Sequence, residues 1–155
     1  MEKEEIKLIS SNKKAGYEYF LSDFLECGIE LKGTEIKSLR VNGASLSESY
    51  VIIKHGEMIV LGLNIPQYDK GNIFNHEPLR SRKLLLHKKE IEKYFKKVQE
   101  KGFTIMATKI YLKRGKAKIE IALAKGKKLY DKREVEKNKS IKREIASEIK
   151  QKNNY

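Results

Sequence analysis

The sequence is poor in several residue types: its 155 residues include one cysteine, two prolines and no tryptophan. Because the single cysteine, Cys27, cannot form an internal disulfide, nothing indicates secretion. Long apolar runs are also missing, since Met58–Leu61 and Leu84–Leu86 are far shorter than the roughly 20 residues of a membrane-spanning helix. The N-terminal segment is acidic and lacks the apolar core of a signal peptide. We expect a soluble, cytoplasmic protein with no membrane partner.

Residue patterns that support catalysis or metal binding are equally scarce. His55, His76 and His87 lie far apart, and no cysteine or carboxylate stands at a ligand spacing from them. The basic segment 124–128 lacks the upstream glycine and the following Ser or Thr of a Walker-type phosphate loop. Acidic residues are mostly interleaved with lysines, which does not suit a two-metal nuclease. We expect a protein that is not an enzyme and uses no metal and no cofactor.

Positive charge is what the sequence has in excess, with 34 Lys and Arg against 21 Asp and Glu, a net charge of +13. Such an excess indicates a polyanionic partner, nucleic acid before an anionic membrane, and does not distinguish DNA from RNA. Residues 1–124 hold 23 basic and 16 acidic side chains, whereas residues 125–155 hold 11 and 5. This shift predicts a body over residues 1–125 and a basic C-terminal tail over residues 126–155.

The tail has a weak helical pattern. Ile141, Ile145 and Ile149 repeat at the spacing of one helix stripe, and no glycine or proline follows Gly126. A solvated, disordered C-terminus is the simpler interpretation of a lysine-rich tail. Because the stripe has too little apolar surface to fold alone, we predict that the tail is disordered when free and becomes helical against RNA.

The body is predicted to be mainly β. Tyr50–Lys54 and Met58–Leu63 flank the turn residues His55 and Gly56, and Phe103–Leu112 and Lys116–Ala124 flank a second turn ending in Gly115. Alternation of apolar and polar residues predicts another strand from Tyr17 to Leu21.

Two or three short helices are expected between the strands. Residues 88–101 carry a helical apolar stripe, with His87 as a possible cap and Gly102 as the stop. Thr34 is a candidate cap for a helix that extends to Arg40, and residues 22–28 are a candidate for a one-turn helix. Periodicity alone indicates a β-rich α+β domain, and an antiparallel barrel of the OB type fits this order of elements.

Basic clusters are the strongest functional signal in the residues themselves. They occur at Asn12–Lys14, around Arg80–Lys83, around the turn at Lys113–Lys118, and at Lys127–Arg133. Each alone fits ordinary surface charge, but together they indicate phosphate binding. Exposed aromatic side chains would add stacking surfaces for unpaired bases, and the candidates are Tyr68, Phe74 and Tyr130.

Four motifs make the signal specific. They are NKKA at 12–15, GTEIKSLR at 33–40, RKLLLHKKEI at 82–91 and GKKLYDKRE at 126–134. In this order and spacing they closely resemble the small protein B (SmpB) family, whose members bind transfer-messenger RNA in bacterial ribosome rescue. The resemblance runs from about Ser11 to Glu134, and more weakly to Glu144.

The resemblance implies a fold and a function. It implies a six-stranded antiparallel barrel of the OB type with a basic tail and no catalytic activity. The body would bind the tRNA-like domain of transfer-messenger RNA, which elongation factor Tu helps deliver to stalled ribosomes for trans-translation. The tail would enter the decoding centre and the mRNA channel of the small subunit, against ribosomal RNA.

The resemblance also implies site residues, beginning with Asn12, Glu26, Leu85 and Lys118. Asn12 has a donor and an acceptor for a base edge, and Lys118 is a point charge for phosphate. Glu26 would accept a hydrogen bond from a base or ribose, or anchor a neighbouring lysine. Leu85 is either a core residue or packs against a base. The predicted RNA-binding set is Asn12, Lys13, Lys14, Glu26, Arg82, Lys83, Leu85 and Lys118.

The tail has its own predicted set. Gly126 would allow close backbone approach or a hinge, the cations would hold ribosomal RNA phosphates, and Asp131 would orient Arg133 or meet a base. Two other functions stay open: another OB-type ribosomal or translation-factor protein, and an RNA-processing enzyme. The predicted decoding-centre set is Gly126, Lys127, Lys128, Tyr130, Asp131, Lys132 and Arg133.

Overall fold

A computed structural model describes residues 5–71, 75–100 and 102–127. These ranges contain seven strands and three helices, which confirms the mainly β prediction. In chain order the elements are β1 (Ile6–Ser11), α1 (Lys13–Glu18), β2 (Tyr19–Ile29), α2 (Gly33–Asn42), β3 (Tyr50–Lys54), β4 (Glu57–Leu61), β5 (Arg82–Leu85), α3 (Lys88–Val98), β6 (Phe103–Lys113) and β7 (Lys116–Gly126).

The strands form one antiparallel sheet that closes on itself. Its order is β1-β6-β3-β4-β5-β2-β7, and β7 also pairs with β6, so that six strands make a ring. The seventh strand, β1, pairs with the Lys109–Lys113 part of β6 outside that ring. Local pattern did not predict β1, because it is a short edge strand whose register shifts between Leu8 and Ser10.

Both predicted hairpins are confirmed. His55 and Gly56 have φ angles of 52° and 74° between β3 and β4, and Arg114 and Gly115 have φ angles of 53° and 78° between β6 and β7. Two successive positive φ angles are typical of the tight turns whose twist matches that of the flanking strands. The turns therefore fix the register of both hairpins from local sequence.

The core lies inside the ring. Along β7, Ile119, Ile121 and Leu123 point inward and are buried, as the period of two predicts. Helices α2 and α3 add Leu39 and Tyr94 to the same apolar cluster. The other strands contribute the remaining inward residues, among them Cys27, Val51, Met58, Val60, Leu84, Ile105 and Ile110.

The predicted one-turn helix at residues 22–28 is wrong. This segment is the middle of β2, whose pairing with β7 shifts register between Ser22 and Leu25. Asp23 has a φ of 50° at this bulge, and the buried Tyr94 hydroxyl donates a hydrogen bond to its carbonyl oxygen. The long-range ladder satisfies more backbone groups than one helical turn would, so pairing overrides local preference.

The limits of one strand and two helices also differ from the predictions. Tyr17 belongs to α1 and not to a strand, because the Asn12 side chain accepts a hydrogen bond from the Ala15 N–H and caps a helix there. Helix α2 begins at Gly33, one residue before the predicted cap Thr34, whose hydroxyl is hydrogen-bonded to His76 at 2.9 Å. Helix α3 begins after His87 as predicted but ends at Val98.

Candidate nucleic-acid interface

Strand pairing brings five residues into one row on the outside of the ring. Leu8 pairs with Tyr111, Tyr111 with Lys118, Lys118 with Gly28, and Gly28 with Leu85. Directly paired residues share one face of a sheet, so this row crosses β1, β6, β7, β2 and β5. We call it the cross-strand row. It contains two of the predicted RNA-binding residues, Lys118 and Leu85, although they lie far apart in sequence.

Glu26 lies on β2 beside the cross-strand row. Its carboxylate accepts a hydrogen bond from the Tyr111 hydroxyl, and the Lys113 Nζ is 3.4 Å from both of its oxygens. The Tyr111 hydrogen bond lowers the pKa of Glu26, burial partly opposes this, and Lys113 and Lys118 lower the pKa further. The contact with Lys113 is the geometry that a lysine anchor requires, and the hydrogen bond from a base or ribose stays a prediction.

Leu85 is 49% exposed, so of its two predicted roles the one as a core residue is wrong, and packing against a base stays a prediction. A Cβ atom at Gly28 would lie 3.2 Å from the Leu85 Cβ, which means that the glycine leaves room for the leucine on the sheet. Lys83 lies two residues earlier on the same face of β5, with its Nζ 3.4 Å from Glu57. The row therefore combines an exposed apolar side chain with one cation, Lys118, and Lys83 lies beside it on β5.

The prediction that Arg82 contacts RNA is wrong, because this residue is not exposed at the surface. Its side chain is fully buried, with Nε donating to Glu35 and Nη1 donating to the Leu63 carbonyl oxygen at 2.7 Å. Arg80 donates to the other Glu35 oxygen. Burial lowers the pKa of Arg82, and the hydrogen bond and charge of Glu35 oppose that shift. Arg82 is a structural residue that fixes α2 to β5.

Strand parity could have placed Arg82 correctly. Arg82 and Leu84 alternate with Lys83 and Leu85, and the first pair is buried while the second is exposed. Once Leu84 is assigned to the core, the period of two puts Arg82 on the inside with it. Tyr111 and Gly28 were missed for a different reason, since only the pairing of distant strands brings them beside Lys118.

Asn12 also has a different role from the predicted base contact. Its Nδ2 donates to the carbonyl oxygens of Leu46 and Ala107, both at 3.1 Å, while its Oδ1 caps α1. These bonds occupy the donors and the acceptor of a buried side chain. Asn12 therefore positions α1, whose first residues Lys13 and Lys14 are exposed.

The described part of the predicted tail set is attached to the body. Gly126 is the last residue of β7 and pairs with Tyr19. The Lys127 N–H donates to the Glu18 carbonyl oxygen at 3.0 Å. The boundary between body and tail stays a prediction. The remaining predicted residues lie outside the described ranges: Phe74, Lys128, Tyr130, Asp131, Lys132, Arg133 and the stripe Ile141, Ile145 and Ile149.

Among the described residues, no group of three or more His, Cys, Asp and Glu side chains could hold a metal ion. Within those residues, no helix is long and apolar enough to cross a membrane. Burial raises the pKa of the Cys27 thiol to about 12, so this cysteine is a packed residue and not a thiolate nucleophile.

Comparison with known proteins identifies the family. The family model described as SmpB protein matches residues 9–151. The chain belongs to the SmpB family. An SsrA-binding protein of Caldanaerobacter subterraneus subsp. tengcongensis is 50% identical over 151 residues, which cover 97% of this chain and 96% of that protein. Another SsrA-binding protein, from Thermosipho melanesiensis, is 53% identical over 146 residues, or 94% and 99% of the two chains.

A solved structure is also similar to this SmpB-family chain. It is described as "tmRNA-SmpB: a journey to the center of the bacterial ribosome", and one of its chains is 41% identical with a TM-score of 0.66. The match covers 81% of this chain and 92% of that one. Membership of the SmpB family confirms the resemblance that the four motifs indicated.

Proposed function

We propose that this protein is a non-catalytic adaptor that binds the tRNA-like domain of transfer-messenger RNA and delivers it to stalled ribosomes. The observation that carries the proposal is the cross-strand row, which places the half-buried Lys118 and the exposed Leu85 on one outer face of the ring beside Glu26. The proposal is also supported by relatives named SsrA-binding proteins and by a similar chain described with tmRNA and the ribosome.

The chemistry of the row suits a folded RNA with unpaired bases. Lys118 meets phosphate from the middle of the row, and the exposed leucines at its two ends, Leu8 and Leu85, offer apolar surface to splayed bases or sugars. The Glu26 carboxylate, held by Tyr111 and Lys113, accepts from a ribose 2′-hydroxyl, a group that DNA lacks. Lys13, Lys14 and Lys83 add charge around the row.

The tail serves a second RNA in this proposal. Gly126 and Lys127 hold the base of the tail on the body, and the residues that follow, up to Arg133, enter the decoding centre, where their cations hold ribosomal RNA phosphates in place of a codon–anticodon helix. Elongation factor Tu acts on the delivered RNA and is an indirect partner. Trans-translation takes place in the bacterial cytoplasm, which is the location we propose for this protein.

Competition binding tests the role of the body. The wild-type protein should hold the tRNA-like domain against excess tRNA, and equal competition by tRNA would refute the proposal. Lys118→Gln should lower the dependence of log K on log salt by about 1, because one phosphate contact is lost. Lys96→Gln on α3 makes the same charge change away from the row and serves as the matched control.

Peptide tagging on stalled ribosomes tests the role of the tail. Truncation after Tyr130, or replacement of Lys132 and Arg133 by glutamine, should leave the affinity for the tRNA-like domain unchanged and abolish tagging. Normal tagging by the truncated protein would show that the proposed tail mechanism is wrong.

A further inference from the structure

A second surface combines aromatic rings and lysines at one end of the ring. Phe20 on β2 pairs with Lys125 on β7, and Lys125 pairs with Phe103 on β6, so the three residues lie side by side. Their side chains lie on the same face of the sheet as the buried Leu123, which points into the core. They lie past Leu123 at the end of the ring, where Phe20 is 48% exposed and Lys125 is exposed. Phe103 packs against the core with part of its ring outside.

Three ammonium groups lie over these two rings. The Lys127 Nζ is 4.9 Å from the centroid of Phe20, and the Nζ atoms of Lys125 and Lys97 are 5.6 Å and 5.9 Å from the centroid of Phe103. Each distance is within the range of a cation–π interaction. We call these five residues the Phe–Lys end. The Glu100 carboxylate lies 3.8 Å from the Lys97 ammonium group. Because this one carboxylate stands against three ammonium groups, the Phe–Lys end keeps a positive charge.

We propose that the Phe–Lys end binds an unpaired RNA nucleotide, with its base stacked on Phe20 and its phosphates on the surrounding lysines. Base stacking needs an exposed aromatic face, and lysines close to that face supply the charge that holds the backbone. Lysine side chains are long, so an ammonium group that lies over a ring in the free protein can turn to a phosphate when a base takes its place. The choice of RNA as ligand rests on the proposed function.

The Phe–Lys end is separate from the cross-strand row. Lys118 and Lys125 are seven residues apart on β7, and an odd separation places them on opposite faces of the strand. At a rise of about 3.3 Å per residue they are also roughly 23 Å apart along the strand. A single nucleotide bound at the row therefore does not contact the Phe–Lys end as well, and the site lies where residue 127 leads into the predicted tail.

Binding of a labelled decauridylate to the full-length protein tests this proposal. Phe20→Leu keeps an apolar side chain and removes the stacking face, and we expect it to weaken decauridylate binding about tenfold. The matched control is Phe95→Leu, because Phe95 on α3 is 45% exposed and lies outside the site. Phe95→Leu should leave the affinity for decauridylate unchanged.

Ring-proton NMR provides a measurement specific to the site. On titration with decauridylate the Phe20 ring signals should shift upfield and those of Phe95 should not. Unchanged Phe20 signals, or equal affinities of Phe20→Leu and wild type, would overturn the proposal. If Lys97→Gln weakened decauridylate binding while Phe20→Leu left it unchanged, the site would be a purely electrostatic patch and stacking would be rejected. Failure of the proposed function is a different result, namely equal competition by tRNA for the tRNA-like domain.

Discussion

Replacing Arg82 by methionine would test whether this arginine is structural. Its guanidinium group donates to Glu35 and to the carbonyl oxygens of Leu63 and Pro78, at 2.7 Å and 3.0 Å for the two carbonyls. In Arg82→Met the Glu35 carboxylate stays buried with Arg80 as its remaining cationic partner. Breaking a buried ion pair from one side costs about 3–5 kcal/mol, and the contact with Arg80 favours the lower end of that range.

This loss is large relative to the stability of the fold. Domains of this size unfold with a free energy of about 5–15 kcal/mol, and 1 kcal/mol shifts Tm by about 2–4 °C. Arg82→Met should therefore remain folded at low temperature, with its Tm lowered by about 6–20 °C. Lys83→Met is the matched control, because Lys83 points outward from the same strand and its replacement should change stability by about 0.5 kcal/mol or less.

Urea unfolding followed by circular dichroism measures the loss, and binding of the tRNA-like domain is measured at a temperature where both proteins are folded. We expect Arg82→Met to bind RNA like wild type. A variant as stable as wild type that has lost RNA affinity would refute the structural role and restore Arg82 as a contact residue.

The same ion pair makes stability depend on pH. Burial raises the pKa of Glu35, but hydrogen bonds from Arg80, the Lys32 N–H and Arg82 outweigh it and hold the pKa below its ordinary value of 4.5. A carboxyl group with a lowered pKa in the folded state contributes stability in full above its unfolded pKa. That contribution is lost as the pH falls below about 4.5 through the lower folded pKa.

Three further substitutions test other parts of the structure. Asn12→Ala removes the cap of α1 and should cost about 1–2 kcal/mol in urea unfolding; unchanged stability with lost RNA affinity would instead favour a direct contact. Tyr111→Phe removes the hydrogen bond that most lowers the pKa of Glu26, so an NMR titration should show this pKa rise, and an unchanged value would contradict the assignment. Gly62→Ala should destabilise by about 1–3 kcal/mol, because Gly62 has a φ of 74° and a Cβ there would lie 2.3 Å from the Glu48 carbonyl oxygen; an unchanged urea midpoint would count against this strain.

Local sequence predicted the elements whose formation depends on a few neighbouring residues. The turn at His55 and Gly56 closes the β3–β4 hairpin, because both residues take positive φ angles in a two-residue connection. Helix α3 begins after His87, whose N–H donates to Glu90 at 3.1 Å within one helical turn. Gly102, with a φ of 90°, lies between this helix and β6 as its predicted stop. These features need no contact with a distant part of the chain.

Prediction failed where distant partners outweighed local preference. Residues 22–28 have a local helical pattern, yet the β7 ladder holds them in a strand. Alternation along β5 places Arg82 inward beside Leu84, but the counter-charge that accompanies its burial is Glu35 on α2, which is 47 residues away in sequence. In both cases the deciding group comes from another part of the chain, and its position depends on packing.

The sequence by itself determined the net charge, the hairpins, the last helix and, through its motifs, the family. Only the tertiary structure decided that Leu8, Gly28, Leu85, Tyr111 and Lys118 form one row and that Glu35 lies beside the buried Arg82. The physical reason is that dihedral preferences act between near neighbours. Strand register and burial depend on pairing and packing between segments that are distant along the chain.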